Sequence, residues 1–355
     1  MKIKEYSPIE FDRLKSAWKN LEKGVEMTWF QTYDWYKIVN KHFMEEKKKA
    51  PFRSGTYVLL TDDDGKPLMI APIQIVKVGF YFKRVGIRKG FYFLGRQGYS
   101  DYLNFIYKDF QDEYAKTILE YIKNKYKLNT FYFENVSSET GIYQYFLNIP
   151  GVERTNSVCM RIVLPDNFED YRMSLAKSVR RNMTTAFNRA KKNDLEFTYE
   201  IARNLDQKTI DELREVYSPR YEKKQVRTFK DLSKQAQIYN ACREFIVDHT
   251  SIPVDVLTEI KDCWCLIARC NNEIAAFFFS VYRPENKTTY QLIAGVNEKY
   301  QWYGPGKTQL YNFIQDEINN GKPLVDVIDL TRGNEGYKYD FNGEELTTSQ
   351  FLFSI

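Results

Sequence analysis

Gly304 and Gly306, in the stretch Tyr300-Gln301-Trp302-Tyr303-Gly304-Pro305-Gly306-Lys307, have the residue types and spacing that point most directly to chemistry. The run Thr288 to Gly295 before them is strand-like. The run Thr308 to Asn320 after them is amphipathic, with Leu310, Ile314 and Ile318 four apart on one helical face. The order is strand, glycine turn, helix start. Glycines remove Cβ from the turn, so the backbone can curve tightly and approach a ligand. The first amides of the following helix have no partner inside it and carry the positive end of its dipole, which makes an anion site. Lys307 is expected to add a full positive charge. The plainer reading is a turn with glycines for geometry alone. The stretch lacks the G-K-[S/T] ending of an NTPase P-loop and, with Leu310 in place of a further glycine, the G-x-G-x-x-G of a dinucleotide fold.

Other candidates lie before and after this turn. Asp329 ends a predicted strand, Val325 to Leu330, of parallel type beside Thr288 to Gly295; ligands gather at such carboxyl ends, although Asp there also caps turns. Tyr171 to Asn193 reads as one helix with Arg172, Lys177, Arg180, Arg181, Arg189, Lys191 and Lys192 and no acidic residue. That face is either simply solvated or meets a phosphate or an acidic acceptor, since an Arg fork suits phosphate. Asp101, in the loop Gly95 to Tyr102, is either a turn-former or a second base candidate.

The elements that must position these residues form two similar halves. A first half, 1–150, reads as helices, a hairpin about Asp62-Asp63-Asp64-Gly65, a short strand Phe91 to Leu94, a helix Asp112 to Lys125 and a strand Thr130 to Asn135. Gly141 to Val158 reads as irregular. The second half, 151–355, runs through the basic helix, a strand Leu195 to Ile201, helices Asp206 to Lys224 and Lys230 to His249, a hairpin about Asn271-Asn272, the glycine turn and the strand ending near Asp329. Shared element order suggests a structural repeat with one cofactor loop, in the second half, and a last strand returning to the first domain. The 355 residues, 43% hydrophobic and 28% charged, suit two globular domains. A net charge of +5 is too mild to indicate nucleic acid. The first residues lack a signal peptide's apolar region, and the longest apolar run, Ile274 to Phe279, is too short to span a bilayer. Five cysteines without a C-x-x-C pair and two histidines, His42 and His249, predict reduced thiols, a cytoplasmic location and no metal.

Several stretches carry a family resemblance. Gln301, Gly304 and Gly306 read Q-x-x-G-x-G, which resembles the coenzyme A pyrophosphate loop of GNAT N-acyltransferases. Ser178-Val179-Arg180-Arg181-Asn182-Met183, Asp329-Leu330-Thr331-Arg332-Gly333-Asn334-Glu335-Gly336-Tyr337-Lys338 and the early Trp29-Phe30-Gln31-Thr32-Tyr33-Asp34-Trp35 are similar to motifs of that superfamily's FemAB-related, BioF2-like or CelD-like branch. The resemblance covers most of the chain. It implies an α/β fold of two tandem GNAT-like domains, each a mixed central sheet flanked by helices. It further implies that Gln301, Tyr303, Gly304, Gly306 and Lys307 hold acetyl-CoA or another acyl-CoA. Tyr337 would return a proton to the leaving thiolate, or else belongs to the core. Ser100-Asp101-Tyr102 resembles a family loop that faces the inter-domain cleft, which would make Tyr102 a substrate contact, and Glu335 and Lys338 are substrate contacts or a surface pair.

The expected activity is direct acyl transfer to an amine, with Asp329, Asp101 or a water as base and no Ser or Cys nucleophile. By analogy the acceptor is a small or nucleotide-linked amine, such as an amino sugar in cell-surface polysaccharide assembly. Two rivals stand beside this: a FemAB-type transferase using aminoacyl-tRNA on a peptidoglycan precursor, in which tRNA would be the nucleic-acid partner, and a non-catalytic binding protein on the same fold. The oligomeric state is not readable from the sequence.

Overall fold

Lys2–Tyr6 (β1) pairs antiparallel with Arg53–Thr61 (β2), a pairing that five mostly polar residues do not announce in sequence. The computed structural model describes residues 1–23, 27–47, 53–77, 80–82, 85–95, 100–203, 205–217, 260 and 263–355. They divide into two units. One is formed by Met1–Ser157 with Leu346–Ile355, the other by described residues between Val158 and Glu345.

In the first unit, Lys15–Glu22 (α1) and Tyr33–Lys47 (α2) precede β2. The hairpin of β2 with Pro67–Val76 (β3) turns at the aspartates. Asp62 Oδ1 accepts the amides of Asp64 (3.1 Å) and Lys66 (2.8 Å), and Gly65 takes φ 86°. Phe80–Phe82 (β4) and Val85–Ile87 (β5) pair as a separate ribbon. Gly90–Phe93 (β6) joins β3, as does the two-residue Ile106–Tyr107 (β7). Asp112–Tyr126 (α3) then crosses to Thr130–Ser137 (β8), which lies parallel to β6. Gly141–Leu147 (α4) and the start of Glu153–Val163 (β9) occupy the segment that composition marked as irregular. Phe91, Phe131, Phe133, Phe146 and Phe353 fill this unit's core with Ile118 and Ile122 of α3.

The second unit opens on the latter part of β9. The single basic helix expected from Tyr171 to Asn193 is two, Phe168–Ser174 (α5) and Lys177–Lys192 (α6). Leu175 and Ala176 between them are extended (ψ 144° and 143°), and Arg180 Nη1 crosses the break to the carbonyls of Met173 (2.8 Å) and Leu175 (2.7 Å). Phe197–Ala202 (β10) and a helix over 207–217 (α7) follow. The remainder of Asp206 to Lys224 and the helix expected from Lys230 to His249 lie outside the described residues. Cys263–Cys270 (β11) and Glu273–Arg283 (β12) form a hairpin on Asn271 (φ 51°) and Asn272 (φ 67°), the left-handed pair that a two-residue turn requires. Thr288–Val296 (β13), Pro305–Asn319 (α8) and Val327–Arg332 (β14) make a strand-helix-strand crossover with β13 and β14 parallel. Gly336–Asp340 (α9) follows. Glu344–Ser354 (β15) ends the chain, and its Thr348–Ser354 pairs antiparallel with β8 of the first unit, to which Leu346–Ile355 belongs.

The two units share a topology. The first orders its strands β1-β2-β3-β6-β8-β15 and the second β10-β11-β12-β13-β14-β9, each with one parallel pair bridged by a helix. They differ where that helix begins. The first turn of α3 carries Asp112 and Glu113 and no glycine, so its dipole is already met by carboxylates. The first turn of α8 carries no acid.

The far end of α8 is tied to the segment leading into β14 by the Glu317 side chain. Glu317, 4% exposed, accepts the amides of Leu324 and Val325 at 2.9 Å each. Glu317→Ala strands both donors and is expected to cost about 2–3 kcal/mol of stability, whereas Glu317→Gln keeps an accepting oxygen and costs less. Chemical denaturation of both variants checks this.

Candidate functional site

β13 leaves the sheet through a turn pinned by Asn297, whose amide donates to Ala275 O (2.9 Å). A 3-10 turn over Gln301–Tyr303 follows, and Gly304 then takes φ 62°, ψ 38°, a left-handed conformation that glycine holds without strain. Its amide donates to Gln301 O (3.1 Å) and its carbonyl accepts from Thr308 N (3.1 Å), which starts α8. Pro305 has no amide hydrogen. Gly306 and Lys307 therefore present the amides of this helix start that have no main-chain acceptor among the described residues. The Thr308 hydroxyl lies on the Pro305 carbonyl (3.2 Å), and Tyr199 donates to it from β10 (3.0 Å), so the turn is held from behind.

Two expectations about this turn change. Gly306 is buried, and a Cβ there would stand 3.3 Å from Val296 Cγ2. Its bareness lets α8 pack on β13; the φ of Gly304 shapes the turn. Lys307 is not a free charge, because its ammonium lies 2.6 Å from Asp340 Oδ2 of α9. Gln301 is exposed, and Tyr303 packs on Phe197 with ring centroids 6.0 Å apart.

The second feature is a parting of strands. β13 and β14 pair from Thr288 with Val327 to Tyr290 with Asp329, and no further. Beyond that point β13 stays with β12 to Val296, while β14 goes with β9, Arg332 pairing with Cys159 and Gly333 N donating to Val158 O (2.9 Å). Among the described residues, the edge of β13 that faces β14 therefore has no strand partner from Gln291 onward. In the same place the β12–β13 register shifts, Phe279 opposing Ile293 and Ser280 opposing Gln291, so Leu292 opposes no residue of β12.

The end of β14 is a knot of side-chain bonds. Thr331 sits at φ 55°, costly for a β-branched residue. Asp329 Oδ1 accepts its amide (2.7 Å), and its hydroxyl donates to Gln291 O (2.9 Å). Lys338, 2% exposed, donates to the carbonyls of Thr331 (3.2 Å), Arg332 (3.0 Å) and Gly333 (3.3 Å) and pairs with Glu335 Oε2 (3.0 Å). Lys338 thus builds the turn instead of meeting a substrate. Asp329 takes the turn-capping role that its position allowed. Burial first, and then the Asp329 charge opposite, push the Tyr290 phenol far above its usual range, so it stays protonated. Tyr337 is half-buried on this unit's core.

The remaining expected residues are divided. Arg180 is committed to the α5 carbonyls, whereas Arg181 is exposed with no partner among the described residues. Asp101 and Tyr102 are buried in the first unit, where Ser100, beside them, accepts Trp35 Nε1 (3.0 Å) and Tyr102 O accepts Gln31 Nε2 (2.7 Å). The second unit holds Asp329, Tyr337 and the glycine turn. Sequence reading missed Asp340, Thr331, the Leu292 bulge and two buried amides. Gln291 Oε1 and both side-chain polar atoms of Gln309, on α8, have no hydrogen-bond partner among the described residues. It also missed that Arg189 of α6 donates to Trp302 O and covers its indole, 4.1 Å from the ring centroid. An isolated Gln in an amphipathic helix was the only available signal for Gln309; pairs 33 or 113 residues apart leave none.

Residues 177–339 match the family model described as "Acetyltransferase (GNAT) domain". Among solved structures, the chain is similar to FemX (TM-score 0.56, 11% identity, 100% of this chain and 98% of that one). It is also similar to a conserved protein of unknown function from Bacteroides thetaiotaomicron (0.50, 12%, 99% and 100%). A third is the C-terminal domain of a putative lysylphosphatidylglycerol synthetase from Agrobacterium fabrum (0.51, 8%, 96% and 92%). No curated protein matches the sequence. The chain carries a GNAT acetyltransferase domain, its fold is α/β with two tandem GNAT-like units, and it is a GNAT-type N-acyltransferase. Among the described residues no helix is long and apolar enough to cross a membrane.

The knot at β14 makes a stability prediction. Lys338→Met leaves three carbonyls without their donor and is expected to cost about 2–3 kcal/mol. Glu335→Gln, at the exposed end of the same ion pair, should cost under about 1 kcal/mol. Melting curves of the two variants give the ranking, and equal losses would contradict it.

Proposed function

We propose that the second unit moves an acetyl or other short acyl group from coenzyme A to an amine. The acceptor we propose is an amino sugar, free or nucleotide-linked, in cell-surface polysaccharide assembly. One observation carries the donor half: the unpaired amides of Gly306 and Lys307 stand at the end of the strand whose edge opens at Gln291. A pyrophosphate suits the first, because helix-start amides favour an anion. An extended chain bearing amides suits the second, because an open strand edge offers alternating donors and acceptors. In this reading the thioester lies near Leu292, whose bulged backbone can present an amide to the carbonyl oxygen as charge develops.

The reaction then needs few groups. The amine nitrogen attacks the thioester carbon, the new C–N bond forms, and the C–S bond breaks. The amine proton leaves to a base, and the thiolate takes a proton from an acid. We assign the acid to Tyr337. Asp329 has an oxygen on the Thr331 amide, so in this reading it positions the end of β14, and a water is the preferred base. Arg181, exposed near the α6 start, is assigned to an acidic acceptor.

Calorimetry with acetyl-CoA, longer acyl-CoAs and aminoacyl-tRNA tests the donor. Acetyl-CoA is expected to bind. Gly306→Ala, which presses α8 away from Val296, should raise its dissociation constant about tenfold, or about 1.4 kcal/mol. Lys307→Ala should weaken it less, since the amides remain. Tyr337→Phe should lower kcat and leave acyl-CoA affinity nearly unchanged. Binding of aminoacyl-tRNA with no affinity for any acyl-CoA would replace the proposal with the FemAB-type reading.

A further inference from the structure

Trp302 is 68% exposed, yet it is not loose. The Arg189 guanidinium lies over its ring, 4.1 Å from the centroid, and donates to its main-chain carbonyl. The residue is thus fixed at both backbone and indole. With one face under the guanidinium and most of the side chain still exposed, the opposite face meets solvent. A single exposed aromatic needs no explanation. An exposed aromatic clamped by a cation, in the turn that ends on two unpaired amides, is arranged for a flat partner.

The chemistry of that partner follows from the neighbours. Trp302 stands two residues before Gly304 and four before Gly306, so a group stacked on it is close to an anion held by the Gly306 and Lys307 amides. α6 passes alongside: Ala186 Cβ lies 4.0 Å from where a Gly304 Cβ would be. The sequence of α6 contains Arg181, Arg189, Lys191 and Lys192 and no acid. A nucleotide with a flat base and phosphates on its ribose suits a stacking indole, a guanidinium and helix-start amides together, because bases stack on aromatic rings and Arg forks match phosphate.

We infer that Trp302, held by Arg189, is the platform for the adenine of coenzyme A, and that Arg189 faces the ribose phosphate. The inference rests on the acyl-CoA reading above and extends it to the nucleotide end. Stacking on the free indole face leaves the pyrophosphate at the α8 amides and lets the pantetheine arm run along the open edge of β13. Arg189 contributes doubly, as the clamp that keeps the indole flat and as a cation toward the phosphate.

The test uses the whole protein with three probes: coenzyme A, its fluorescent etheno-adenine analogue, and phosphopantetheine, which lacks the nucleoside. Wild type is expected to bind all three and to quench the etheno-adenine emission by stacking. Trp302→Ala should raise the dissociation constant for coenzyme A about tenfold, abolish the quenching, and leave phosphopantetheine within about twofold. Trp302→Phe should keep much of both effects, and Arg189→Ala should fall between. Melting curves exclude a folding defect. A Trp302→Ala protein that binds and quenches like wild type overturns the platform alone. Equal weakening of coenzyme A and phosphopantetheine also overturns it, since the damage would then be to the turn. Wild type with no affinity for coenzyme A would instead overturn the donor assignment, and the platform with it.

Discussion

Parallel pairing between β13 and β14 lasts three residues and then stops, and the rest of the candidate site depends on that limit. A continued ladder would occupy the edge of β13 and leave nothing for a ligand to bond. The strands part because β14 ends in a turn that cannot continue a strand: Thr331 is left-handed. That conformation is unfavourable for a β-branched residue and persists only when surrounded by compensating bonds. Asp329, Gln291 and Lys338 supply them, the last through three carbonyls in a buried setting where each unmade bond would be costly.

The distribution of charge in the second unit follows from the same economy of partners. Of the cations that sequence placed at a binding site, Lys307 is paired with Asp340, Lys338 is buried in the β14 turn, and Arg180 bridges a helix break. Attraction for an anion then falls to main-chain amides and to the exposed basic residues of α6. Amides at a helix start are fixed in direction and need no side-chain ordering on binding, so a site built on them loses little entropy when it fills. The paired Lys307 and Asp340 hold α8 and α9 together beside that site instead of competing for its ligand.

The two units show how one topology is specialised by a helix start. Both place a helix between two parallel strands, and both fill the space beneath it with aromatic and aliphatic side chains. In the first unit α3 begins with Asp112 and Glu113 after Gln111, and the chain reaches it through a long connection that includes β7. In the second the connection from β13 is short, and Gly304 turns it directly into α8. The same fold therefore carries a helix start with open amides in one unit and a neutralised helix end in the other.

The sequence by itself determined the elements with strong local signals. The Asn271-Asn272 and Asp62–Gly65 hairpins, the strand before Gly304 and the amphipathic helix after it were legible, because turn chemistry and apolar periodicity act over a few residues. Extended residues at Leu175 and Ala176 split a helix that periodicity joined, since the break is stabilised by Arg180 reaching back to carbonyls, a three-dimensional bond. β1 escaped notice because its stability comes from β2 and not from its own five residues. The glycine turn and the residues of the β14 tail were visible as a pattern, but their roles were not. Only the tertiary structure decided that Lys338 serves the backbone, that Lys307 meets Asp340, that Gly306 makes room for Val296, and that Arg189 braces Trp302 from 113 residues away. Charge and residue type announce that a group can bond; which partner it meets depends on how distant segments pack, and no local pattern encodes that.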